Sequence, residues 1–265
     1  MSADSRHAST LLEVRNLRRS FAGVHAVDGL DLDVAQGSIT GLIGPNGCGK
    51  TTSVNCITGF DRSFTGEVNM AGAPFAGLGP DSIARRGMMR TFQAIRVFDS
   101  FTVLENVKMA MQSFDGSSAL QALAHTPRFR RTEAETEKKA QELLELVGLA
   151  AKAGDAAGEL SYGQKKLLSL AGILMSSPRL VMLDEPVAGV NPTRAMEIAD
   201  IIKSVNALGT TFLIIEHNIP FIMRLCDSII VMDRGKRLVQ GTPDEIRGDP
   251  AVLEAYLGGA ANVGG

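Results

Sequence analysis

Apolar and polar residues alternate in several short segments of this chain, a pattern that predicts β-strands. The predicted strands cover residues 11–17, 26–34, 38–43, 65–72, 88–91, 180–183, 211–215 and 228–232. After residue 180 the strands alternate with helical patterns at residues 192–207 and 218–225. This alternation is typical of a parallel sheet covered by helices, so the fold class is predicted to be α/β.

A second pattern, with the period of an amphipathic helix, covers most of residues 103–175. Residues 132–135 (Thr-Glu-Ala-Glu) predict a capping box, and Gly148 is predicted to end the helix that follows it. Shorter helices are predicted at residues 51–58 and 81–86. The apolar face of the helix before Gly148 comprises Ala140, Leu143, Leu144 and Val147.

Length and composition limit the number of domains. The chain has 265 residues, of which 45% are hydrophobic and 21% charged, values that exclude disorder, collagen and coiled coil. No repeat or low-complexity linker interrupts the sequence. We therefore expect a single domain at residues 11–258, with a helical subdomain inserted at about residues 94–175 and flexible tails at residues 1–10 and 259–265.

Charge and cysteine content narrow the class of protein. The 27 Lys and Arg against 29 Asp and Glu give a net charge of −2, which supplies no extended basic surface, and we expect no nucleic-acid partner. Three scattered cysteines favour a reducing compartment. The polar first ten residues lack the apolar core of a signal peptide, and the longest apolar helical stretch, residues 167–175, is about half a membrane span. We expect a cytosolic protein that a partner can hold at a membrane.

Glycine is in excess, at 28 of 265 residues, and part of the excess lies in one motif. Residues 44–51, Gly-Pro-Asn-Gly-Cys-Gly-Lys-Thr, match the phosphate-binding pattern G-x-x-x-x-G-K-[ST] between a predicted strand and a predicted helix. The glycines let backbone N–H groups face an anion, and the helix N-terminus adds positive charge. We expect Lys50 to contact the β- and γ-phosphates of a nucleotide, Thr51 to bind Mg²⁺ and Thr52 to add a phosphate contact. The candidate ATP-binding residues here are Gly44, Pro45, Asn46, Gly47, Cys48, Gly49, Lys50, Thr51 and Thr52, with Cys48 expected to pack rather than react.

One apolar strand ends in two adjacent carboxylates, Asp184 and Glu185. Acids at the carboxyl end of a buried parallel strand lie at the sheet edge where open α/β sheets bind ligands. We expect Asp184 to hold Mg²⁺ through its water shell, and Glu185 to act as the general base on the attacking water. Such a pair alone is more often a solvated turn, and the phosphate-binding loop is what favours the catalytic interpretation.

Residues 160–164, Leu-Ser-Tyr-Gly-Gln, decide the family resemblance. Ser161 and Gln164 predict a capping box for the helix that runs to residue 175, and Gly163 in its first turn makes that N-terminus an anion site. With the two motifs above and their order, the sequence resembles the ATP-binding-cassette (ABC) ATPases over nearly its whole length. The resemblance implies an α/β P-loop NTPase (RecA-like) core with an N-terminal antiparallel β subdomain and an inserted α-helical subdomain. It also implies that Ser161, Gly163 and Gln164 contact the ATP held by the opposing subunit of a head-to-tail dimer.

Further positions match the family one by one. Gln93 matches the Q-loop glutamine, which reaches Mg²⁺ and the attacking water, and His217 matches the switch histidine that hydrogen-bonds the γ-phosphate. Phe21 matches the aromatic residue that stacks on adenine, although an ordinary core residue stays open as the alternative. Asn191 stands where the family's D-loop normally ends in aspartate, which puts the transfer of that aspartate's role in doubt. The resemblance thus implies Lys50, Gln93, Glu185 and His217 as catalytic residues, and Thr51, Gln93 and Asp184 as magnesium ligands.

Within the family, residues 90–98, 126–131, 184–192 and 249–258 are similar to the ATP-binding subunits of bacterial branched-chain amino-acid importers. The insert at 126–131 points to the longer of the two ATPase subunits that such importers usually carry. The resemblance implies ATP and Mg²⁺ as cofactors, a second ABC ATPase subunit in a homo- or heterodimer, two transmembrane permease subunits and, indirectly, a periplasmic substrate-binding protein. It places the chain peripherally on the cytoplasmic side of the inner (cell) membrane. Ala94 to Phe101 are expected to form the groove that the permeases contact, or else an ordinary apolar loop.

Several alternatives stay open from the sequence. Subunits for urea or short amides belong to the same branch, because the ATPase never touches the cargo, and an exporter subunit has the same size. A soluble ABC ATPase that acts on ribosomes or DNA is disfavoured by the single cassette, the missing heptad run and the net charge of −2.

Overall fold

The computed structural model describes residues 9–91, 97–115 and 127–258. Its strands are β1 (Thr10–Phe21), β2 (Val24–Ala35), β3 (Ile39–Ile43), β4 (Thr65–Met70), β5 (Ala73–Pro74), β6 (Met88–Arg90), β7 (Leu180–Asp184), β8 (Thr211–Ile215), β9 (Ser228–Asp233) and β10 (Lys236–Gly241). Its helices are α1 (Lys50–Ile57), α2 (Pro80–Arg85), α3 (Val103–Asp115), α4 (Pro127–Leu146), α5 (Tyr162–Leu174), α6 (Pro192–Ala207), α7 (Ile219–Leu225), α8 (Pro243–Gly248) and α9 (Pro250–Gly258).

The strands form two sheets. An antiparallel sheet has the order β2-β1-β4-β5, and a six-stranded sheet has the order β10-β9-β3-β8-β7-β6. In the six-stranded sheet β9, β3, β8, β7 and β6 run parallel, and only β10 at its edge is antiparallel. The α/β class and the N-terminal antiparallel β layer are therefore confirmed.

The six-stranded sheet is buried on both faces, which is why its strands are nearly continuous apolar runs. In β8, Leu213 and Ile215 join the core beneath the antiparallel sheet and α1, whereas Phe212 and Ile214 join the core beneath the helices. The helical core also includes residues from α3, α4 and α5. The sheet thus separates two hydrophobic cores. Packing on both of its faces fixes the positions of the loops at its carboxyl edge.

Most of the predicted strands and helices are present with shifted boundaries, and the structure also contains elements that were not predicted. Helix α4 ends as predicted, because Gly148 has φ +70° and Leu149 N donates to Leu144 O at 2.8 Å. The capping box at residues 132–135 is wrong, since α4 already begins at Pro127, a residue well suited to a first helical turn. The prediction of helix through most of residues 103–175 is too broad, because residues 147–161 are mainly loop with two short 3₁₀ turns. Strand β10 and helices α8 and α9 were not predicted.

In the ranges that the structure describes, no helix is both long enough and apolar enough to cross a bilayer.

Candidate nucleotide site

The phosphate-binding loop joins β3 to α1 at the centre of the parallel sheet. Its three glycines have positive φ angles, +153° at Gly44, +78° at Gly47 and +103° at Gly49. A side chain at Gly44 would press against the carbonyl of Met232, and one at Gly49 against the carbonyl of Ala26, both well inside 3.0 Å. Glycine is therefore required at 44 and 49 by close backbone approach as well as by conformation.

Lys50 folds back across this loop. Its Nζ donates to the carbonyl oxygens of Gly44 at 2.8 Å and Pro45 at 3.0 Å. Thr51 is exposed and Thr52 is half-buried in the first turn of α1. An ammonium group, two hydroxyls and a helix N-terminus thus converge at one place, which is the chemistry of an anion site.

Cys48 is buried and belongs to the core beneath the antiparallel sheet. Burial raises the pKa of its thiol, against the opposing effect of Lys50, whose Nζ lies 3.7 Å from Sγ. The thiol is therefore held in its neutral form, which agrees with the predicted packing role.

Asp184 is the last residue of β7, and its carboxylate is anchored by an arginine. Asp184 Oδ2 accepts from Arg90 Nη2 at 2.7 Å, and Arg90 Nη1 donates to Asn55 Oδ1 at 2.7 Å. The Arg90 and Asp184 side chains are only 8% and 12% exposed. Arg90 therefore links three parts of the site. It lies on β6, the strand that precedes Gln93 in the chain, and it bonds both the Asp184 carboxylate and helix α1. Sequence reasoning did not single it out, although a charged residue at the end of a short apolar strand was the available signal.

Glu185 and His217 face each other beyond β7 and β8. Glu185 Oε1 lies 3.6 Å from His217 Nδ1, and the His217 side chain is 61% exposed. Glu185 has a φ of +49°, an uncommon conformation for a residue with a side chain. Its backbone is fixed on both sides, because Glu185 N donates to Ile215 O at 2.9 Å and Lys166 Nζ donates to Glu185 O at 2.7 Å. Lys166 and the buried Glu216 next to His217 were both missed in the sequence.

The strand register explains why these groups meet. Leu42 of β3 and Asp184 of β7 are both paired with Ile215 of β8, so the three strands end at one level. The strands that precede the phosphate-binding loop, the acidic pair and the histidine therefore end at the same edge of the sheet. Gln93 lies outside the described residues, and Thr91, directly after β6, is the described residue that precedes it most closely in the chain.

The segment 161–164 forms the predicted capping box. Gln164 N donates to Ser161 Oγ at 3.4 Å, and Ser161 N donates to Gln164 Oε1 at 3.0 Å. Gly163 packs on the start of α6, where a side chain would approach Arg194 Cγ to 3.2 Å. This N-terminus of α5 therefore lies against the segment that follows Glu185.

Phe21 and Asn191 have clear local roles. Phe21 ends β1 and is 47% exposed, with the Arg19 guanidinium 4.0 Å from its ring centroid, which argues against an ordinary core position. The hairpin it belongs to reaches the phosphate-binding loop through Ala26. Asn191 caps α6, since its Oδ1 accepts from Arg194 N at 2.9 Å. An amide oxygen serves as a helix cap without the charge of aspartate.

The oxygen donors fit magnesium brought in with a nucleotide. Thr51 offers an exposed hydroxyl and Asp184 a carboxylate, both hard ligands. Among the described residues, no group of three or more His, Cys, Asp or Glu is placed to hold a metal. Mg²⁺ is usually bound by one or two carboxylates together with waters and substrate phosphates.

Comparison with known proteins decides the family. The sequence profile described as ABC transporter matches residues 27–188, more than half of the chain. The chain belongs to the ABC transporter family. A second profile, described as branched-chain amino acid ATP-binding cassette transporter, matches residues 236–262. The resemblance predicted from the motifs is thereby confirmed, and membership of this family identifies the chain as an ATPase subunit.

Named relatives of this ABC protein are similar over nearly their whole length. The high-affinity branched-chain amino acid transport ATP-binding protein BraF of Pseudomonas aeruginosa is 41% identical over 94% of this chain and 98% of its own. LivG of Escherichia coli K12, described in the same words, is 39% identical with the same coverage. The crystal structure of the ADP conformation of an ATP-binding cassette of an ABC transporter superposes with a TM-score of 0.82 at 33% identity, covering 94% of this chain and 99% of that one.

Proposed function

We propose that this chain is the ATP-hydrolysing subunit of an importer for branched-chain amino acids. The observation that carries the proposal is the convergence of the phosphate-binding loop, the acidic pair and His217 at one sheet edge, with Glu185 Oε1 3.6 Å from His217 Nδ1. The cargo is supported by relatives named for branched-chain amino-acid transport that match this chain almost end to end.

ATP binds along the phosphate-binding loop. Lys50 exchanges its bonds to the Gly44 and Pro45 carbonyls for the β- and γ-phosphate oxygens, while the loop N–H groups and the α1 N-terminus hold the remaining charge. Phe21 stacks on the adenine. Thr51 and Asp184, with Gln93 as predicted from the sequence, would hold Mg²⁺, which would neutralise charge on the phosphates.

Hydrolysis is an in-line attack by water on the γ-phosphorus. The water oxygen forms the new P–O bond as the bond to the ADP oxygen breaks, and the products are ADP and inorganic phosphate. Glu185 accepts the proton of the attacking water as general base, and His217 hydrogen-bonds the γ-phosphoryl oxygens. Their positions after β7 and β8, at the same sheet edge as the phosphate-binding loop, support these roles.

Each site is completed by a second ATPase subunit. Ser161, Gly163 and Gln164 lie on the helical layer, packed against the start of α6, and would meet the ATP held by the opposing phosphate-binding loop. Closure of this dimer around two ATP molecules, and its reopening after hydrolysis, would move the helical subdomains. This motion would be passed to two membrane permeases at the cytoplasmic side, with the periplasmic binding protein acting only through them.

The contact with the permeases is proposed near Phe98 and Phe101. The described part of the predicted groove, residues 97–101, is braced by Asn106, whose Oδ1 accepts from Phe98 N at 2.8 Å and whose Nδ2 donates to Phe98 O at 3.1 Å. Phe98 and Phe101 are 55% and 39% exposed and lie 5.5 Å apart. A braced loop that presents two exposed aromatic rings suits a partner helix. Residues 94–96 of the prediction lie outside the described residues.

The test is turnover of the assembled transporter in nanodiscs. The chain, its second ATPase subunit and the permeases are reconstituted, and phosphate release is measured with the binding protein loaded with leucine, isoleucine or valine. We expect turnover to rise with these ligands and to be absent in Lys50→Ala. A rise with urea alone would contradict the cargo, and failure of the chain to co-purify with permeases would contradict the transport role.

A further inference from the structure

Glu216 is a buried carboxylate that the proposed reaction does not use. It follows β8 directly and is 1% exposed, among the most buried polar residues in the described ranges. Burial of a carboxylate is costly unless hydrogen bonds compensate for lost water. The hydrogen bonds that Glu216 accepts therefore indicate its role.

The two oxygens of Glu216 bind two different loops. Oε1 accepts from Val187 N at 3.0 Å, in the loop that begins with Glu185. Oε2 accepts from His217 N at 3.0 Å and Asn218 N at 3.1 Å, in the loop after β8. One side chain thus bridges Val187, two residues after the proposed general base, to the backbone of the proposed switch histidine.

The loop after β7 needs such a bridge because its first residue is strained. Glu185 has φ +49°, a left-handed conformation that is unfavourable for a residue with a side chain. Strain of this kind persists only where the surroundings fix it. Lys166 holds the loop from the other side, donating to Glu185 O at 2.7 Å and to Ala188 O at 2.9 Å.

Lys166 also supplies charge close to the buried carboxylate. Its pKa is lowered by burial, while the negative charges of Glu216 and Glu185 act in the opposite direction. The buried carboxylate therefore has a nearby cation as well as three N–H donors.

We propose that Glu216 is a positioning residue, which sets the distance and orientation between Glu185 and His217 by holding the backbones of both loops. The inference rests on the proposed roles of those two residues. Glu216 itself touches neither the nucleotide nor the water; it acts through the backbone of its neighbours.

Two substitutions separate the bridge from the charge. Glu216→Gln keeps the length but replaces one acceptor oxygen with an NH₂ group, which would face a backbone N–H donor in place of an acceptor. Glu216→Asp keeps the charge but is one methylene shorter, so it can stay near His217 N and lose Val187 N. Both should leave nucleotide binding intact and disturb only the relative placement of Glu185 and His217.

A matched control is available at Glu245. This carboxylate also accepts a backbone hydrogen bond, from Thr242 N at 2.7 Å, but it is exposed in the capping box of α8. Glu245→Gln therefore makes the same loss of charge at a backbone-bound carboxylate away from the site. Glu185→Gln and His217→Ala complete the set.

The experiment measures kcat and KM for ATP, with thermal unfolding, for these variants and for the double variants Glu216→Gln with Glu185→Gln and with His217→Ala. We expect both Glu216 variants to lower kcat about ten- to a hundredfold, because a displacement of about 1 Å has that effect, with KM changed less than about threefold. Glu245→Gln should keep the parental kcat. Neither double variant should fall much below its slower single variant, because the residues act as a unit.

Different failures have different meanings. Parental kcat in Glu216→Gln and Glu216→Asp, with slow Glu185→Gln and His217→Ala, would overturn the positioning role alone. Fully additive losses in both double variants would also overturn it. Parental turnover in Glu185→Gln and His217→Ala would instead overturn the proposed roles of those two residues. If Glu216→Gln fails to fold, the Asp variant gives the same decision, since ADP binding by calorimetry reports its folded state.

Discussion

At the scale of one residue, the exposure of Phe21 distinguishes a role in nucleotide binding from a role in core packing. It is 47% exposed, so its removal should cost little stability, yet stacking on a base contributes about 1–3 kcal/mol. We predict that Phe21→Ala weakens ATP affinity about five- to a hundredfold and changes the unfolding free energy by less than about 1 kcal/mol. Titration calorimetry and urea unfolding measure the two quantities.

Val24 provides the matched control for that prediction. It is the cross-strand partner of Phe21 in the same hairpin and is 68% exposed. Val24→Ala should keep parental ATP affinity. Equal loss of affinity in both variants would show that the hairpin, and not the aromatic ring, is what the nucleotide needs.

The glycines of the phosphate-binding loop are not equivalent. A side chain at Gly49 would collide with the Ala26 carbonyl, whereas one at Gly47 would meet no atom within 4 Å. We predict that Gly47→Ala costs about 1 kcal/mol for its positive φ, and that Gly49→Ala costs about 2 kcal/mol more because of the collision. Urea unfolding of the two variants tests this, and equal losses would mean that conformation alone selects glycine here.

At the scale of elements, the N-terminal cap of helix α5 has two proposed roles, stabilising the helix and contacting a phosphate of the opposing subunit's ATP. Ser161 Oγ accepts from Gln164 N at 3.4 Å, and Thr242 Oγ1 at the start of α8 accepts from Glu245 N at the same distance. Loss of either cap should destabilise the protein by about 0.5–2 kcal/mol. We predict that only Ser161→Ala also lowers ATP turnover in the dimer, because only this cap would face a phosphate. Turnover and thermal unfolding of both variants decide the matter, and a parental rate in Ser161→Ala would leave the cap a structural feature only.

The elements also show what the sequence can and cannot predict. The parallel strands were predictable because a sheet buried on both faces needs continuous apolar runs, and the acids and glycines at their ends follow from the same pattern. Strand β10 was missed because an edge strand such as Lys236–Gly241 is polar and largely exposed. Helix α4 was predicted to begin too late because the capping pattern at residue 132 hid the start at Pro127.

The missed site residues have one cause in common. Arg90, Lys166 and Glu216 act through contacts between elements that are far apart in the chain, 94 residues for Arg90 with Asp184 and 29 for Glu216 with Val187. The spacing of residues within one stretch of sequence does not reveal pairs that are so far apart in the chain. Glu216 offered one hint, a carboxyl group directly after the apolar run at residues 212–215 of β8, where solvation alone is a poor explanation.

At the scale of the whole molecule, the two halves of the proposed site belong to different layers of one chain. The phosphate-binding loop is wedged against Ala26, Met232 and Gly235 at the centre of the sheet, while Ser161 belongs to the helical layer. A rigid sheet between two cores gives one chain little freedom to bring them together. In the proposed dimer, two chains placed head to tail would solve the problem by symmetry, since each would supply the half that the other lacks.

This arrangement predicts association driven by ATP. In Glu185→Gln the nucleotide binds but is not consumed, so the closed dimer should accumulate when Mg²⁺ and ATP are added and disappear with ADP. Sedimentation velocity should show a monomer becoming a dimer; adding Ser161→Ala should abolish the shift, and adding Thr242→Ala should preserve it. A dimer that forms only after the second ATPase subunit is added would place the two sites between unlike chains, as the resemblance to the longer of two subunits implies. A monomer under every condition would contradict the shared site, because a chain that binds ATP and never pairs cannot bring Ser161 to a phosphate.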